Sequence, residues 1–392
     1  MHACVIAYTF LDADFRVRRY VEYLVDRGYE VDVIALRKSG EERIGRRNGI
    51  TTFRIRERRS NEKGILNYAF NILMFFLKGT FVLFSRTWKV RYGVVHIHNV
   101  PDFLIFMGAL PKWRGAKLIL DIHDILPEFF CRKFGKNLRS FPARILFLLE
   151  KMSVRFADHV IVANDLWREK ILLRCGLPPS KCTSLLNYPD VEYFRFPRSQ
   201  QKKNGFLMIY PGTISYHHGV DIAIHALGML EKEIPNIRFD IYANRSSNLE
   251  HVDRIKALVR EKKLDDFVTI HQPLSLRRLG EIFVNADVGI IPKRGGMFAE
   301  EAFSTKMLEF MAAGLPVVAS RTKIDEYYFD DSMVSYFEPE NASDLAERIR
   351  EIYTNPAGAR KRAEKSLEFV GRNNWNTKKC IYEDILRRIS AP

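Results

Sequence analysis

The sequence predicts an α/β protein with two parallel β-sheets, each covered by helices on both faces. Along the whole chain, short apolar runs of strand length alternate with amphipathic stretches of helix length. The chain has 392 residues, more than one small hydrophobic core normally accommodates. Residues 187–205 interrupt the alternation with two prolines and a polar run, which is typical of a linker.

The predicted strands form two sets of six, one on each side of this linker. The first set is Cys4–Tyr8, Val31–Leu36, Thr52–Ile55, Val94–Ile97, Leu118–Asp121 and Val160–Ala163. The second set is Leu207–Tyr210, Arg238–Tyr242, Val268–Ile270, Val288–Ile291, Val317–Ala319 and Val334–Phe337. We therefore expect one domain at residues 1–190, a second at 205–370, and a helical C-terminal segment at 371–392.

The net charge of +15 is distributed unevenly. Residues 1–190 contain 32 Lys and Arg against 19 Asp and Glu, whereas residues 191–392 contain 30 against 28. A basic surface can serve nucleic acid, an anionic membrane or a phosphate-bearing substrate. Because the sequence carries no signature of a nucleic-acid-binding fold, we expect no nucleic-acid partner.

The longest apolar run, Gly64–Ser85, follows the third predicted strand. It approaches the ~20 residues that a membrane span needs, but Asn67, Asn71 and Lys78 interrupt it. The pattern favours a long helix packed on the first sheet. A helix lying in the membrane interface remains the main alternative, since a span would separate its flanking strands across the bilayer.

The cysteines and the N-terminus bear on the cellular compartment. Five cysteines are scattered along the chain without a C-x-x-C pair, which favours free thiols in a reducing compartment. The chain starts with a strand rather than with a signal peptide. We expect a cytoplasmic protein, peripheral on the inner face of the cell membrane if its basic surface meets lipid.

The segment Asp287–Ser320 is the most informative part of the sequence. A buried strand ends at a proline, a glycine-containing loop follows, and a short helix begins near Ser304 and ends at Gly314. Ser304, Thr305 and Lys306 lie at the helix N-terminus, where free backbone N–H groups attract anions. A second buried strand completes the segment.

Two carboxylates, Glu301 and Glu309, flank the start of this helix with seven residues between them. A carboxylate in the loop, a phosphate-binding helix start and a second carboxylate one turn later suit a sugar, a diphosphate and a ribose diol. This E-x7-E pattern before the strand sequence GLPVVA resembles the donor site of the retaining GT-B glycosyltransferases, the large family four (group 1).

The resemblance implies a GT-B fold, in which two Rossmann-like domains face each other across a cleft and the last helix crosses back to the first domain. The second domain would bind a UDP- or GDP-sugar and the first a glycan or a polyprenyl-diphosphate-linked acceptor. Glu301 would touch the transferred sugar and Glu309 the ribose hydroxyls. The nucleotide sugar is a co-substrate, so neither a cofactor nor a metal is expected.

The second domain begins with a strand, a turn at Gly212 and a helix near Gly219, which resembles the diphosphate-binding segment G-x-L-x-x-x-K-G of that family. Here Thr213 replaces an arginine of the family pattern, and His218 replaces a lysine. Phosphate needs positive charge but no single source of it. Lys293, Arg294 and Lys306 are the candidates that could replace the missing charges.

In the first domain, His123 follows an apolar strand and resembles the histidine with which the family approaches the transferred sugar. Histidine can hydrogen-bond a hydroxyl or support charge near neutral pH. We predict that His123 and Glu301 are the catalytic residues. Acceptor-side candidates lie at the start of the first helix and after the fourth strand: Asp14, Arg16, His98, Asn99 and Asp102.

Two alternatives remain from the residues themselves. Asp12 and Asp14 resemble the D-x-D of a metal-dependent phosphatase, and His96 with His98 resembles the H-x-H of metal hydrolases. Arg16 stands where such a phosphatase has Thr or Val, and the chain lacks the eightfold β/α pattern and the later His/Asp ligand set of such hydrolases, so we prefer no metal. The altered Thr213 and His218 also fit a catalytically silent GT-B domain that acts as an assembly partner.

Overall fold

Two largely parallel sheets organise the chain, as the sequence predicts. The computed structural model describes residues 1–57, 65–197, 205–243, 248–296 and 299–390. The chain divides into unit 1, Met1–Asn187 with Cys380–Pro392, and unit 2, Tyr188–Lys379. Residues 198–204 of the predicted linker lie outside the described residues.

Unit 1 contains an eight-stranded sheet in the order β3-β4-β2-β1-β5-β6-β7-β8. Its strands are β1 (His2–Ala7), β2 (Glu30–Arg37), β3 (Ile44–Arg47), β4 (Ile50–Glu57), β5 (Tyr92–His98), β6 (Lys117–Ile122), β7 (His159–Val162) and β8 (Cys182–Ser184). Its helices are α1 (Phe15–Asp26), α2 (Ile65–Lys89), α3 (Ala109–Trp113), α4 (Leu126–Phe134), α5 (Phe141–Phe156) and α6 (Asp165–Cys175).

Unit 2 contains a six-stranded parallel sheet in the order β11-β10-β9-β12-β13-β14. Its strands are β9 (Phe206–Gly212), β10 (Ile237–Ala243), β11 (Val268–His271), β12 (Val288–Ile291), β13 (Val317–Ser320) and β14 (Ser335–Phe337). Its helices are α7 (Val220–Leu230), α8 (Leu249–Glu261), α9 (Leu276–Phe283), α10 (Thr305–Ala312), α11 (Lys323–Tyr328), α12 (Ala342–Thr354) and α13 (Pro356–Arg372), followed by α14 (Trp375–Ser390), whose residues from Cys380 belong to unit 1.

In each sheet, successive strands are added first toward one edge and later toward the opposite edge, so each sheet has a point at which this direction switches. In unit 1 this point lies between β1 and β5, and in unit 2 between β9 and β12. Open α/β sheets bind ligands beside the carboxyl ends of the strands at such a switch point. The topology therefore indicates one candidate ligand position in each unit.

All twelve predicted strands are present, and the described part of the chain contains two more that the sequence analysis did not predict. Strand β3 is a short polar edge strand, the antiparallel partner of β4. Asn48 and Gly49 join the two strands, and both have positive φ, the turn chemistry of a tight hairpin. That Asn-Gly pair was a usable signal. Strand β8 has three residues, too few for a period-2 pattern to stand out.

The apolar run forms α2, which connects β4 to β5; its first residue, Gly64, lies outside the described residues. One face of α2 packs into unit 1, as predicted, through Ile72, Phe75 and Leu83. A Cβ added at Gly79 would come within 2.2 Å of the Met107 Cε, so α2 lies very close to the segment that contains Met107. Within the described residues, Asn67–Lys89 is the one helix long and apolar enough to cross a membrane, with mean hydropathy 1.5.

Candidate active site

A pocket of about 180 Å³ lies at the switch point of unit 1. Its walls come from the carboxyl ends of β1, β5 and β6 and from the start of α1. Four predicted site residues meet there, although they are far apart in the sequence. The lining residues are Ala7, Tyr8, Thr9, Asp14, Val17, Tyr68, His98, Asn99, Val100 and His123.

A buried carboxylate that the sequence analysis missed, Asp121, lies behind this pocket. The Arg16 guanidinium donates to both of its oxygens, at 3.1 and 2.6 Å. The His98 Nδ1 and the His123 Nε2 lie 3.3 and 3.4 Å from its Oδ2. Burial alone would raise the pKa of Asp121, but Arg16 and the nearby His123 hold it well below its usual range. A carboxylate within the apolar strand sequence KLILDI was the signal that could have revealed it.

His123 is the accessible member of this cluster, with about a fifth of its side chain exposed. Its Nε2 lies 2.9 Å from the Nδ1 of the buried His98. Burial lowers the pKa of His98, which therefore remains neutral near pH 7. A neutral imidazole beside a fixed carboxylate restricts the orientation of His123 and leaves its ring edge at the pocket wall.

Two of the predicted acceptor residues, Arg16 and Asp102, are buried and do not line this pocket. Arg16 is engaged by Asp121. The Asp102 Oδ1 accepts a hydrogen bond of 2.7 Å from Asn99, and burial raises the pKa of Asp102 to about 6. The Asn99 Oδ1 in turn accepts from the His123 backbone N–H at 2.7 Å. These side chains support the position of His123.

The structure also shows the surroundings of the residues that were considered as metal ligands. Within the described residues, the one cluster with metal-ligand spacing is His96, His98 and Asp121, and its cationic partner is Arg16. Asp12 is exposed and its carboxylate lies 3.6 Å from the Lys38 ammonium. Asp14 caps α1 by accepting from the Val17 N–H. The D-x-D carboxylates therefore have separate partners, which disfavours a phosphatase.

In unit 2, the carboxyl end of β9 lies against the start of α10. Gly212 has φ of +150°, and an added Cβ would lie 2.8 Å from the Lys306 Nζ. Only glycine therefore leaves the Lys306 ammonium in this place. The ammonium also lies 5.7 Å from the centre of the Tyr210 ring. A cation is thus held at the switch point, beside the predicted phosphate position.

At the N-terminus of α10, Ser304 occupies the N-cap position, and its side chain makes no capping hydrogen bond to the backbone N–H groups. Glu309, one turn inside, is partly buried and hydrogen-bonds Thr305. Burial raises the pKa of Glu309 and lowers that of Lys306, while their mutual attraction opposes both shifts. Free N–H groups, a cation and a carboxylate therefore lie within one turn of helix.

The other predicted cations of this region are engaged by the protein. The Lys293 Nζ lies 2.6 Å from the buried Asp325 carboxylate and 3.3 Å from the Ala302 carbonyl, beside Glu301 in sequence. Arg294 binds the carboxylates of Asp221 and Glu340, and its Nε donates to the Tyr216 carbonyl in the turn before α7 at 3.0 Å. Lys306 is the predicted cation for which the described residues show no direct ion pair.

The turn after β9 contains Thr213 and His218. The Tyr210 hydroxyl donates to the Thr213 carbonyl at 2.9 Å, and the His218 Nδ1 lies 2.7 Å from the Ser215 Oγ. Gly219 ends the turn with φ of +62°, and an added Cβ would clash with the Pro292 carbonyl oxygen at 1.8 Å. These contacts hold the turn close to the loop that follows β12.

Comparisons with known proteins agree with this architecture. A sequence model of "Glycosyl transferases group 1" matches residues 193–368, and one of "Glycosyltransferase Family 4" matches residues 15–193. The phosphatidylinositol N-acetylglucosaminyltransferase gpi3 subunit of Schizosaccharomyces pombe is 24% identical over 85% of this chain and 67% of its own length. The chain spans 35% of the length of the D-inositol 3-phosphate glycosyltransferases of Arthrobacter sp. and Pseudarthrobacter chlorophenolicus.

Solved structures share the fold over nearly the whole chain. The sucrose-phosphate synthase of Thermosynechococcus elongatus has a TM-score of 0.77 at 18% identity and covers 99% of both chains. Anabaena Alr3699/HepE in complex with UDP-glucose has a TM-score of 0.73 at 16% identity and covers 98% of this chain and 99% of its own. At such identities the likeness concerns the fold.

Proposed function

Because this chain belongs to the group 1 glycosyltransferases of family four and has their GT-B fold, we propose that it transfers a sugar from a UDP- or GDP-sugar to a lipid-linked or glycan acceptor, with retention of anomeric configuration. The observation that carries the proposal is the arrangement of Gly212, Lys306 and Glu309 at the switch point of unit 2. Anabaena Alr3699/HepE, which has the same fold, binds UDP-glucose.

Each group in unit 2 has a chemical task in this proposal. The α10 N-terminus and the Lys306 ammonium stabilise the diphosphate as negative charge develops on it during departure of the sugar. Glu309 accepts hydrogen bonds from the ribose hydroxyls, and Glu301 contacts the sugar. In unit 1, His123 is the residue that we propose to act in catalysis. Transfer then depends on positioning and on charge stabilisation, without a metal.

The donor can be identified by ligand-dependent stability. We expect the melting temperature to rise with UDP- or GDP-sugars, since a ligand that binds only the native state stabilises it. ADP-sugars serve as the comparison. Transfer should persist in EDTA and yield a product whose anomeric configuration, read by NMR, is that of the donor. Binding without transfer would support the silent assembly partner, and EDTA-sensitive phosphate release would support the phosphatase.

A membrane-bound acceptor is favoured by exposed apolar side chains on two helices of unit 1. Both connections, β4 to β5 and β6 to β7, run in the same direction along the sheet, so right-handed crossovers place α2 and α5 on the same face. Each helix exposes an apolar stripe at helical spacing. The stripes are Phe70, Leu73, Leu77, Phe81, Phe84 and Trp88 on α2, and Phe141, Ile145, Leu148 and Met152 on α5.

The charges around these stripes complement an anionic membrane. Helices α2 and α3 contain no acidic residue, and the one acid of α5, Glu150, is buried. Exposed cations on these helices include Lys78, Lys89, Arg144 and Arg155. Apolar side chains flanked by cations are typical of a surface that lies on anionic lipid. We therefore propose a cytoplasmic protein peripheral on the inner face of the cell membrane.

Vesicle flotation tests this membrane contact. We expect the protein to float with anionic vesicles at low salt and to dissociate as salt rises, because each cation contributes ~1 kcal/mol of screened attraction. The variant Phe84→Ser/Trp88→Ser/Phe141→Ser/Leu148→Ser should lose most of the bound fraction. The matched control Leu249→Ser/Leu367→Ser removes exposed apolar residues of unit 2 and should float like wild type. Equal flotation of both variants would contradict the proposed surface.

A further inference from the structure

A second cavity of unit 1, of about 790 Å³, lies along α2 and is separate in its lining residues from the switch-point pocket. It is a groove between α2 on one side and the hairpin of β3 and β4 on the other. No predicted site residue lines it. The lining residues are Arg37, Arg43, Ile44, Phe53, Arg54, Ile55, Arg56, Glu57, Leu77, Lys78, Phe81 and Val82.

Half of the residues that line the groove are apolar, and several of these side chains are open to solvent. Phe81 is 72% exposed, and Leu77 and Ile44 are each at least half exposed. Across from α2, Phe53 and Ile55 of β4 are only partly buried, and Thr52 is the one buried residue of that strand. Leu77 and Phe81 also belong to the exposed stripe of α2. The groove therefore opens beside the surface that we propose to lie on lipid.

Positive charge surrounds these apolar walls. Five cationic side chains line the groove against one carboxylate, Glu57. Glu57 accepts from Arg37 at 3.0 Å, and Glu41 lies 3.5 Å from Arg54. Within the described residues, Lys78 and Arg43 have no acidic partner. The groove therefore keeps excess positive charge after its internal ion pairs are counted.

The backbone of β4 explains how cationic and apolar groups come to share one wall. The pairing of β2 with β4 shifts register where Ala35 faces Arg54 and Leu36 faces Arg56. The extra residue is Ile55, and such an irregularity redirects the side chains that follow it. Ile55 approaches Gly79, and Arg56 donates to Asn71, so both turn toward α2. An unbroken alternation would point one of them away.

We propose that this groove binds one lipid molecule that carries a phosphate or diphosphate group. Its hydrocarbon chain would contact Leu77, Phe81 and Ile55, and its phosphate would contact the cations of the rim. The inference rests on the proposed function only in taking this lipid as the lipid part of the acceptor. Binding itself requires neither a nucleotide sugar nor transfer.

Isothermal titration with soluble probes tests the proposal on the full chain, without vesicles. Farnesyl diphosphate provides chain and diphosphate, farnesol the chain alone, and inorganic pyrophosphate the anion alone. We expect farnesyl diphosphate to bind at least tenfold more tightly than either. Equal affinity for pyrophosphate would identify a simple anion site and overturn the proposal, as would equal affinity for farnesol or no binding of any probe.

Variants then locate the bound probe. Lys78→Glu, Arg43→Glu and Phe81→Ser should each weaken farnesyl diphosphate binding at least fivefold. Lys89→Glu is the matched control, since Lys89 is an exposed cation of the same helix outside the groove. Unchanged affinity in all three groove variants, or an equal loss in Lys89→Glu, would overturn the assignment.

This experiment tests the transferase proposal and the lipid-groove proposal independently. UDP and GDP binding by wild type is measured in parallel, because those ligands are assigned to unit 2. Nucleotide binding without farnesyl diphosphate binding would remove the groove assignment alone. Farnesyl diphosphate binding without nucleotide binding would remove the transferase proposal and leave the lipid site.

Discussion

Replacing Glu309 with Ala should weaken UDP or GDP binding by about ten- to a hundredfold, the equivalent of one charged hydrogen bond worth ~1.5–3 kcal/mol. Burial raises the pKa of this carboxylate, and Lys306 and Thr305 keep it available as an acceptor. In the proposed complex it accepts from the ribose hydroxyls, which would have no charged partner in Glu309→Ala. Titration of free nucleotide into both proteins measures the loss.

Glu301→Ala is the informative comparison for this experiment. Because Glu301 is assigned to the sugar rather than to the nucleotide, its removal should lower the turnover number while free UDP or GDP binds nearly as in wild type. Glu347→Ala, which removes an exposed carboxylate of α12, should change neither quantity. Equal nucleotide affinity in wild type and Glu309→Ala would remove the ribose assignment.

Replacing Asp121 with Ala should lower the free energy of unfolding by about 3–5 kcal/mol, the usual cost of removing one partner from a buried ion pair. Asp121 is fully buried and Arg16 is 5% exposed, so the guanidinium would remain without a counter-ion. Burial would lower the pKa of Arg16, but Asp121 raises it, while Arg16 holds the pKa of Asp121 well below its usual range. Both groups therefore stay charged from pH 5 to 8. Urea unfolding at pH 6 and pH 8 should give the same loss.

A double variant separates the ion pair from simple packing. Arg16→Met/Asp121→Leu removes both charges and should be more stable than Asp121→Ala, because no unpaired buried charge remains. Glu250→Ala breaks the exposed Arg254–Glu250 pair and should have little effect. If Asp121→Ala costs as little as Glu250→Ala, the pair does not hold His123 and its neighbours in place.

Much of the fold could be predicted because its signals are local. Strands buried on both faces of a parallel sheet consist of continuous apolar residues, which is why Val288–Ile291 has the same bounds in sequence and structure. Ser304 and Gly314 marked the ends of α10 within one or two residues, and Gly314 did so because its left-handed conformation closes a helix. The polar edge strand β3 was missed because a short exposed strand lacks an apolar pattern.

The place of a candidate site residue in the fold was predictable where its side chain lies at the end of a strand or the start of a helix. Gly212, His123 and Lys306 all lie at such positions, and the topology brings each to a switch point. The roles of Arg16 and Lys293 were not predictable. A cation in the sequence reveals its charge but not its partner, and their partners, Asp121 and Asp325, are 105 and 32 residues away.

By itself, the sequence determined two α/β units, the positions of their main strands, and a second-domain segment suited to sugar, diphosphate and ribose. Tertiary structure alone decided which charges are neutralised and which apolar surfaces remain uncovered. Helix α2 shows the difference, because its residues are apolar on both faces, and only packing determined that Phe75 is buried and Phe81 exposed. The physical reason is that backbone preferences act between neighbouring residues, whereas burial and ion pairing depend on residues distant in the chain.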